Sequence, residues 1–324
     1  MVQARAVRMY ENGGPEVLKL EDFEVAAPGP GQVLVRQTAI GLNFIDTYIR
    51  TGLYPTKLPA IPGFEGAGVV EAIGEGVDNV SVGDRVAYPT MSSTYATHVC
   101  DSAAKVVKIP DGVSDEDAAA LMMKGMTAWM LLFEIKRVMP GDKLLIWAAA
   151  GGVGSVAVRW AKALGAEVIG VVSTEEKAKR VLENGADHVL LSSADIPAEV
   201  KALTGVKGVD ISIDGVGKDS AMASLNSLRP RGLFITYGNA SGPVDPVPPA
   251  MLNQRGSLMM TRPGLFHFIN TPESLERAAN AVFGALKVGA IKADIGQRYA
   301  LADVAQAHTD LENRKTVGST ILIP

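Results

Sequence analysis

Between positions 143 and 177 the chain reads KLLIWAAAGGVGSVAVRWAKALGAEVIGVVSTEEK, and its apolar pattern changes period twice. The run over 144–147 is short, wholly apolar and bounded by small residues, which predicts a buried strand. Val156, Trp160, Ala163 and Leu164 then recur at helical spacing until Gly165 stops them. A second apolar run over 168–172 predicts the next strand. Strand, glycine turn, helix, strand is a right-handed βαβ unit. The alternation continues with a helix over 175–184 stopped by Gly185, a strand over 188–191 and a helix over 195–203. Further strands are predicted over 209–214, 233–237 and 257–260. Six strands interleaved with helices predict a doubly wound parallel sheet, an α/β Rossmann domain over 127–261.

The preceding residues pattern differently. Short alternating runs over 4–7, 32–36, 68–73 and 84–88 are punctuated by Gly13-Gly14-Pro15, Pro28-Gly29-Pro30-Gly31, Pro62-Gly63 and Gly83-Asp84. That spacing predicts a β-rich, barrel-like domain. Within it, 43–50 predicts a short helix ending at Gly52, and Ser114 caps a helix running through Ala118 to Met123. After Arg262-Pro263-Gly264 come a helix over 272–286, a strand over 295–299 and a closing strand over 318–323. The tail reads as a return to the first domain, so 1–126 and 262–324 form one domain and 127–261 the other.

Composition narrows the function classes. The 324 residues are 47% hydrophobic with a formal net charge of −4 and no basic cluster, which argues against nucleic acid or an anionic membrane as partner. The N-terminal residues show no apolar h-region, and no uninterrupted apolar run reaches membrane-spanning length. A single cysteine, Cys100, excludes an intrachain disulfide and fits a reducing compartment. The expectation is a soluble cytoplasmic protein.

The glycine turn carries the first chemistry. Gly151 and Gly152 let backbone approach a pyrophosphate at the helix N-terminus, and Gly154 lets that helix lie close on the strand. Ala149 stands where the usual fingerprint has its first glycine. The ribose reader belongs about twenty residues beyond the glycines. No carboxylate stands at 172–174; Ser173 offers a hydroxyl and Lys177 a cation one turn later, which suits a 2′-phosphate. NADP(H) is therefore expected over NAD(H). Gly215, in Asp214-Gly215-Val216-Gly217, and Tyr237-Gly238-Asn239 follow predicted strands and fall at the ligand edge of the sheet. Met259-Met260-Thr261 predicts an apolar edge strand, suited to pairing with a twin subunit in a homodimer unless the chain's own tail covers it.

With Gly13-Gly14-Pro15-Glu16-Val17-Leu18, Gly41-Leu42-Asn43-Phe44-Ile45-Asp46, Gly63-Phe64-Glu65-Gly66-Ala67-Gly68, Ala149 to Gly154 and Gly318-Ser319, the chain resembles the medium-chain dehydrogenase/reductase superfamily. Within it the chain closely resembles NADPH:quinone reductases of the zeta-crystallin type, which implies a GroES-like first domain. Arg159 departs from the glutamine usual in that family's signature. Zinc alcohol dehydrogenases of the superfamily bind catalytic metal through a Cys and a Gly-His-Glu histidine. Here those places hold Asn43 and Phe64, and Glu65 alone does not hold zinc. His98, His188, His267 and His308 are scattered without ligand spacing and are expected to be surface or satisfied histidines, so no metal is expected.

The resemblance implies cofactor contacts from Gly152, Val153, Ser173, Lys177, Asn239, Arg262 and Arg314, and puts Ser192 where the family often stacks a tyrosine near the adenine. Asn43, Asp46 and Tyr54 from the first domain and Lys124 and Thr127 from the interdomain edge are the candidate catalytic residues of the cleft, and the resemblance tips Lys124 toward cofactor contact. Asp46 also reads as a helix-start carboxylate, Tyr54 as a loop aromatic and Lys124 as a helix-dipole partner. Hydride transfer without a metal needs an acceptor that is already electrophilic, an oriented and dry pocket, and a hydrogen bond to the developing oxyanion. The implied function is NADPH-dependent quinone reduction. An alkenal or enone double-bond reductase is the alternative in the same class. A non-catalytic NADPH-binding protein, crystallin-like or RNA-binding, is the alternative in another.

Overall fold

Runs separated by glycine and proline become the first strands of the computed structural model, which describes residues 1–324. They are β1 (Val2–Arg8), β2 (Lys19–Val25), β3 (Gln32–Leu42), β4 (Glu65–Ile73), β5 (Arg85–Tyr88), β6 (His98–Ser102) and β7 (Val107–Lys108). Helix α1 (Phe44–Arg50) leaves the end of β3, with Asn43 as an extended N-cap. Helix α2 (Asp115–Trp129) follows β7.

The alternating segment supplies β8 (Lys143–Trp147), α3 (Gly152–Ala163), β9 (Glu167–Val172), α4 (Glu175–Glu183), β10 (His188–Leu191) and α5 (Ile196–Leu203). It continues through β11 (Val209–Asp214), α6 (Ala221–Ser227), β12 (Leu228–Thr236), α7 (Pro249–Gln254) and β13 (Met259–Thr261). The tail adds α8 (Pro272–Lys287), β14 (Ile295–Ala300), α9 (Val304–Glu312) and β15 (Ser319–Ile323).

Two units emerge. The first comprises Met1–Met126, Ile269–Gly284 and Ala293–Pro324. In it β1 pairs with β2, and a seven-stranded sheet runs β14-β15-β3-β4-β5-β7 with β6 also on β3. Strand β15 lies antiparallel to β3, so the tail completes this sheet. Its interior is apolar on the inward positions, with Val33, Val35, Val70, Val86 and Tyr88 in one cluster. The second unit comprises Thr127–Phe268 and Ala285–Lys292. Its six strands run β10-β9-β8-β11-β12-β13, all parallel, with Leu145, Ile169, Val209 and Phe234 in the core on one face.

Three sequence expectations are corrected. Residues 262–268 and 285–292 cluster with the second unit, not the first. Helix α2 does not stop near Met123. It reaches Trp129 and continues as a π-helix through Met130–Ile135, because residues 118–132 are buried and offer no polar stop. Gly125 does not break it; a Cβ there would press on Val282 at 2.9 Å, so the glycine serves packing. The whole stretch Asp115–Ile135 is long and apolar enough to cross a membrane, yet 83% of its most apolar window is buried inside the protein, as in a core helix. Strand β13 starts later than predicted because Gly256 and Ser257 both take positive φ and turn the chain.

Candidate active site

The glycine turn lies where β8 ends. Helix α3 starts at Gly152 behind an extended Gly151 N-cap with no side-chain capping bond. The N–H groups of its first turn therefore have no intrahelical acceptor and stand at the positive end of the helix dipole. A Cβ at Gly154 would collide with the Ala148 carbonyl oxygen, so only glycine lets turn and helix close on each other. Ala148 takes φ +52° to make the turn. The methyl of Ala149 is buried, and Gly170 on β9 leaves the space it fills. This bare-backbone cradle fits a pyrophosphate.

At the end of β9, Ser173 is exposed, and Thr174 caps α4 by accepting from the Lys177 N–H at 3.3 Å. Glu175 and Glu176 fall in the first turn of that helix, as expected of dipole partners. Arg180 shares the Lys177 face one turn on, a cation the sequence reading did not single out although its i,i+3 spacing was visible. Ser192 follows β10 and is exposed.

Beyond β11 and β12, the loops carrying Gly215 and Gly238 touch backbone to backbone, since a Cβ on Gly238 would strike the Gly215 carbonyl. The Tyr237 ring lies against Gly215. Buried Asp214 holds this turn, accepting from the N–H groups of Val216 (2.8 Å) and Gly217 (3.2 Å) and from the hydroxyls of Ser220 (2.8 Å) and Ser224 (2.7 Å). Burial raises its carboxyl above the usual range while those four donors pull it down. Arg262 donates to the Thr236 carbonyl at 3.3 Å, and the Asn239 carbonyl accepts from Gly242 N–H. The residues from Gly151 to Arg262 named for the cofactor all belong to the second unit. Arg314 lies in the first, at φ +58° after α9.

The first unit gathers a second set. Glu65, at the start of β4, is fully buried, and one of its oxygens, Oε2, receives both the Lys124 ammonium (2.9 Å) and the Asn43 amide (2.8 Å). Its Oε1 receives the Met123 N–H at 2.6 Å. Gly41 makes this possible, because a Cβ there would occupy the position of the Glu65 carboxylate. Breaking such a buried pair from one side costs about 3–5 kcal/mol.

Asp46 closes the capping box of α1, accepting from the Asn43 N–H at 2.9 Å and from the Tyr95 hydroxyl at 2.9 Å. Complete burial pushes its carboxyl up to about 7. Asp46 is therefore both a helix-start carboxylate and a member of the buried cluster, with no exposed surface of its own. Tyr54 packs edge-on against Tyr48 with ring centroids 5.3 Å apart. Thr127 lies one turn beyond Lys124 on α2 and belongs to the second unit.

Tyr95, Arg50, His308 and Glu312 were not singled out as site residues by the sequence. Tyr95 sits in a loop whose pattern says nothing, and the helical spacing of His308 and Glu312 was its only signal. His98 pairs with Glu71 at 3.3 Å, His308 is buried and bonded, and His267 is exposed. No three His, Cys, Asp or Glu side chains gather as a metal-holding group.

Comparison with known proteins adds to this geometry. Residues 29–143 match the alcohol dehydrogenase GroES-like domain and residues 152–280 the zinc-binding dehydrogenase domain. A quinone oxidoreductase of Pseudomonas aeruginosa is 47% identical over 99% of this chain and 100% of its own length. This chain belongs to the quinone oxidoreductase family. A solved structure of the Escherichia coli quinone oxidoreductase in complex with NADPH aligns with TM-score 0.97 at 43% identity, covering 99% of this chain and all of that one. A 2-haloacrylate reductase of Burkholderia is 42% identical over 100% of this chain and 99% of its own.

The fold is that of the quinone oxidoreductases, a GroES-like unit and a Rossmann-like unit. One matched domain is named for zinc binding, but at the two superfamily ligand places this family member has an Asn43 amide committed to Glu65 and the hydrocarbon ring of Phe64. Neither is a zinc ligand.

Proposed function

We propose that the protein is an NADPH-dependent quinone reductase that passes reducing equivalents to its acceptor without a metal. The observation that carries this is the convergence of Asn43 and Lys124 on Glu65. An ammonium and an amide occupy ground where a metal would polarise an alcohol, leaving a site suited to acceptors that are already electrophilic.

Gly151, Gly152, Val153 and Gly154 hold the pyrophosphate. Ser173 and Lys177 take the 2′-phosphate, with Ser192, Gly215, Tyr237, Gly238, Asn239, Arg262 and Arg314 completing the cofactor contacts. NADPH, when bound, supplies the hydride. Asn43, Tyr54, Lys124 and Thr127 orient the acceptor, and the Lys124 ammonium offers a hydrogen bond to an oxygen that gains negative charge. The protein works as a cytoplasmic homodimer, paired through β13.

The likeness to a 2-haloacrylate reductase favours a second reading, reduction of a conjugated double bond. Following NADPH consumption by absorbance against quinones, alkenals and cyclic enones, with a zinc chelator present, separates the two. Quinones leading the panel support the main reading, and enones leading it move the protein to double-bond reduction.

A further inference from the structure

Asp46 and Arg50, the two charged side chains of α1, are joined by one hydrogen-bonded chain. Arg50, buried to 1% exposure, donates from Nη1 to His308 Nδ1 at 3.0 Å, from Nη2 to Glu312 at 2.6 Å and from Nε to the Gly13 carbonyl at 3.1 Å. A guanidinium can only donate, so His308 Nδ1 carries no proton and Nε2 must. Nε2 lies 3.0 Å from the Tyr95 oxygen and donates to it, which commits the Tyr95 proton to Asp46 Oδ2. The same Oδ2 accepts the Asn43 N–H. The direction of every bond is thereby fixed from Arg50 to Asp46.

The charges of the cluster then balance only one way. Lys124 is paired with Glu65 and Arg50 with Glu312, and burial holds His308 neutral, at about 3. Those five, with Tyr95, are the titratable and charged groups around Asp46 from α2, β4, α1, α9 and the loop before β6. No cation is left for an Asp46 anion, and its Oδ1 is buried with no hydrogen-bond partner. An ionised carboxylate with an orphaned oxygen there would be costly, whereas a protonated one needs no counter-ion.

We propose that Asp46 is a positioning residue that works as a neutral acid: clamped by Tyr95 and the Asn43 N–H, it holds the start of α1, and with it Asn43, against the Lys124–Glu65 pair without placing a second anion beside that pair. Ionisation of Asp46 draws on the Lys124 ammonium and repels Glu65, disturbing the donors that face the acceptor. The kinetic consequence rests on the quinone-reductase reading; the protonation state does not.

The test follows kcat/KM for NADPH-dependent reduction of para-benzoquinone from about pH 5 to about pH 9. Wild type should fall on the order of tenfold across a break near the Asp46 value of about 7. Asp46→Asn should lack that break, and Tyr95→Phe, which removes a donor to the anion, should move it upward. Parallel profiles for wild type and Asp46→Asn would overturn the proposal.

Two readouts need no turnover. In infrared difference spectra the wild type should lose a carboxylic-acid carbonyl band as pH rises through the same break. The sign for stability follows from a folded value raised above 3.8: the stability Asp46 carries is complete below 3.8 and lost as pH rises through about 7. The melting temperature of Asp46→Asn should therefore gain on wild type across that window and level off above it. An absent acid band sinks the proposal even if quinones are not the substrate, and a present band with no quinone turnover leaves it standing while the function fails. If Asp46→Asn does not fold, Tyr95→Phe and the wild-type band still decide.

Discussion

At the scale of single residues, Lys177 is the sharpest test of cofactor choice. No carboxylate stands at 172–174 to accept ribose hydroxyls, and the Lys177 and Arg180 side chains share one face of α4. A charge-assisted bond to a phosphate is worth about 1.5–3 kcal/mol. Lys177→Ala should weaken NADPH by about ten- to a hundredfold and NADH hardly at all in fluorescence titrations; equal losses for both would remove the 2′-phosphate assignment. His308 gives a second prediction. Burial, then the Arg50 charge, pushes its imidazole from 6.5 down to about 3. A depressed histidine contributes stability that is present above 6.5 and lost as pH falls toward 3, on the order of 5 kcal/mol in full. His308→Gln can present an oxygen to Arg50 and an N–H to Tyr95 without titrating. Its urea midpoint should fall less than that of wild type between about pH 6.5 and about pH 4, and identical curves would show that His308 charges freely. Asp46 gains protons over an overlapping window with the opposite sign, so the two effects partly cancel in wild type and separate only in the variants.

Elements were more legible than residues, for a physical reason. Periods of two and 3.6 repeat over many positions, so β8, α3, β9, α4 and β11 could be read from the chain itself. The ends of α2 and β13 could not. One depends on burial that removes any polar stop, the other on backbone at positive φ that a serine does not announce. Polar clusters are less legible still, because Glu65, Lys124, Tyr95 and His308 come from four separate segments and meet only through pairings far apart in sequence. Local motifs carry their own test. In Gly154→Ala the new methyl meets the Ala148 carbonyl and forces the turn away from α3. Overpacking of that kind costs about 1–3 kcal/mol. The expected outcome is a lower melting temperature and NADPH binding weakened well beyond what the stability loss explains, read by calorimetry and titration on the same sample. Unchanged binding would mean that the cradle is not the pyrophosphate site.

At the scale of the whole molecule, the two sheets end differently. In the first unit the tail is consumed, since β15 pairs with both β3 and β14. In the second unit β13 is an edge of the parallel sheet, bonded to β12 on one side, with Met259 half exposed. An edge strand with unpaired backbone and apolar side chains is a template for another strand, and a charge on it is a common means of blocking such pairing. In the proposed homodimer a twin copy would supply the matching strand about a two-fold axis, closing the assembly at two chains. Met259→Lys places one like charge from each protomer at that seam. Sedimentation should show the wild type as a dimer and Met259→Lys shifted toward monomer, more so at low salt because the repulsion is screened over about 10 Å at 0.1 M. A wild-type chain that sediments as a monomer would overturn the dimer, and a variant that stays dimeric at low salt would place the contact elsewhere on the molecule.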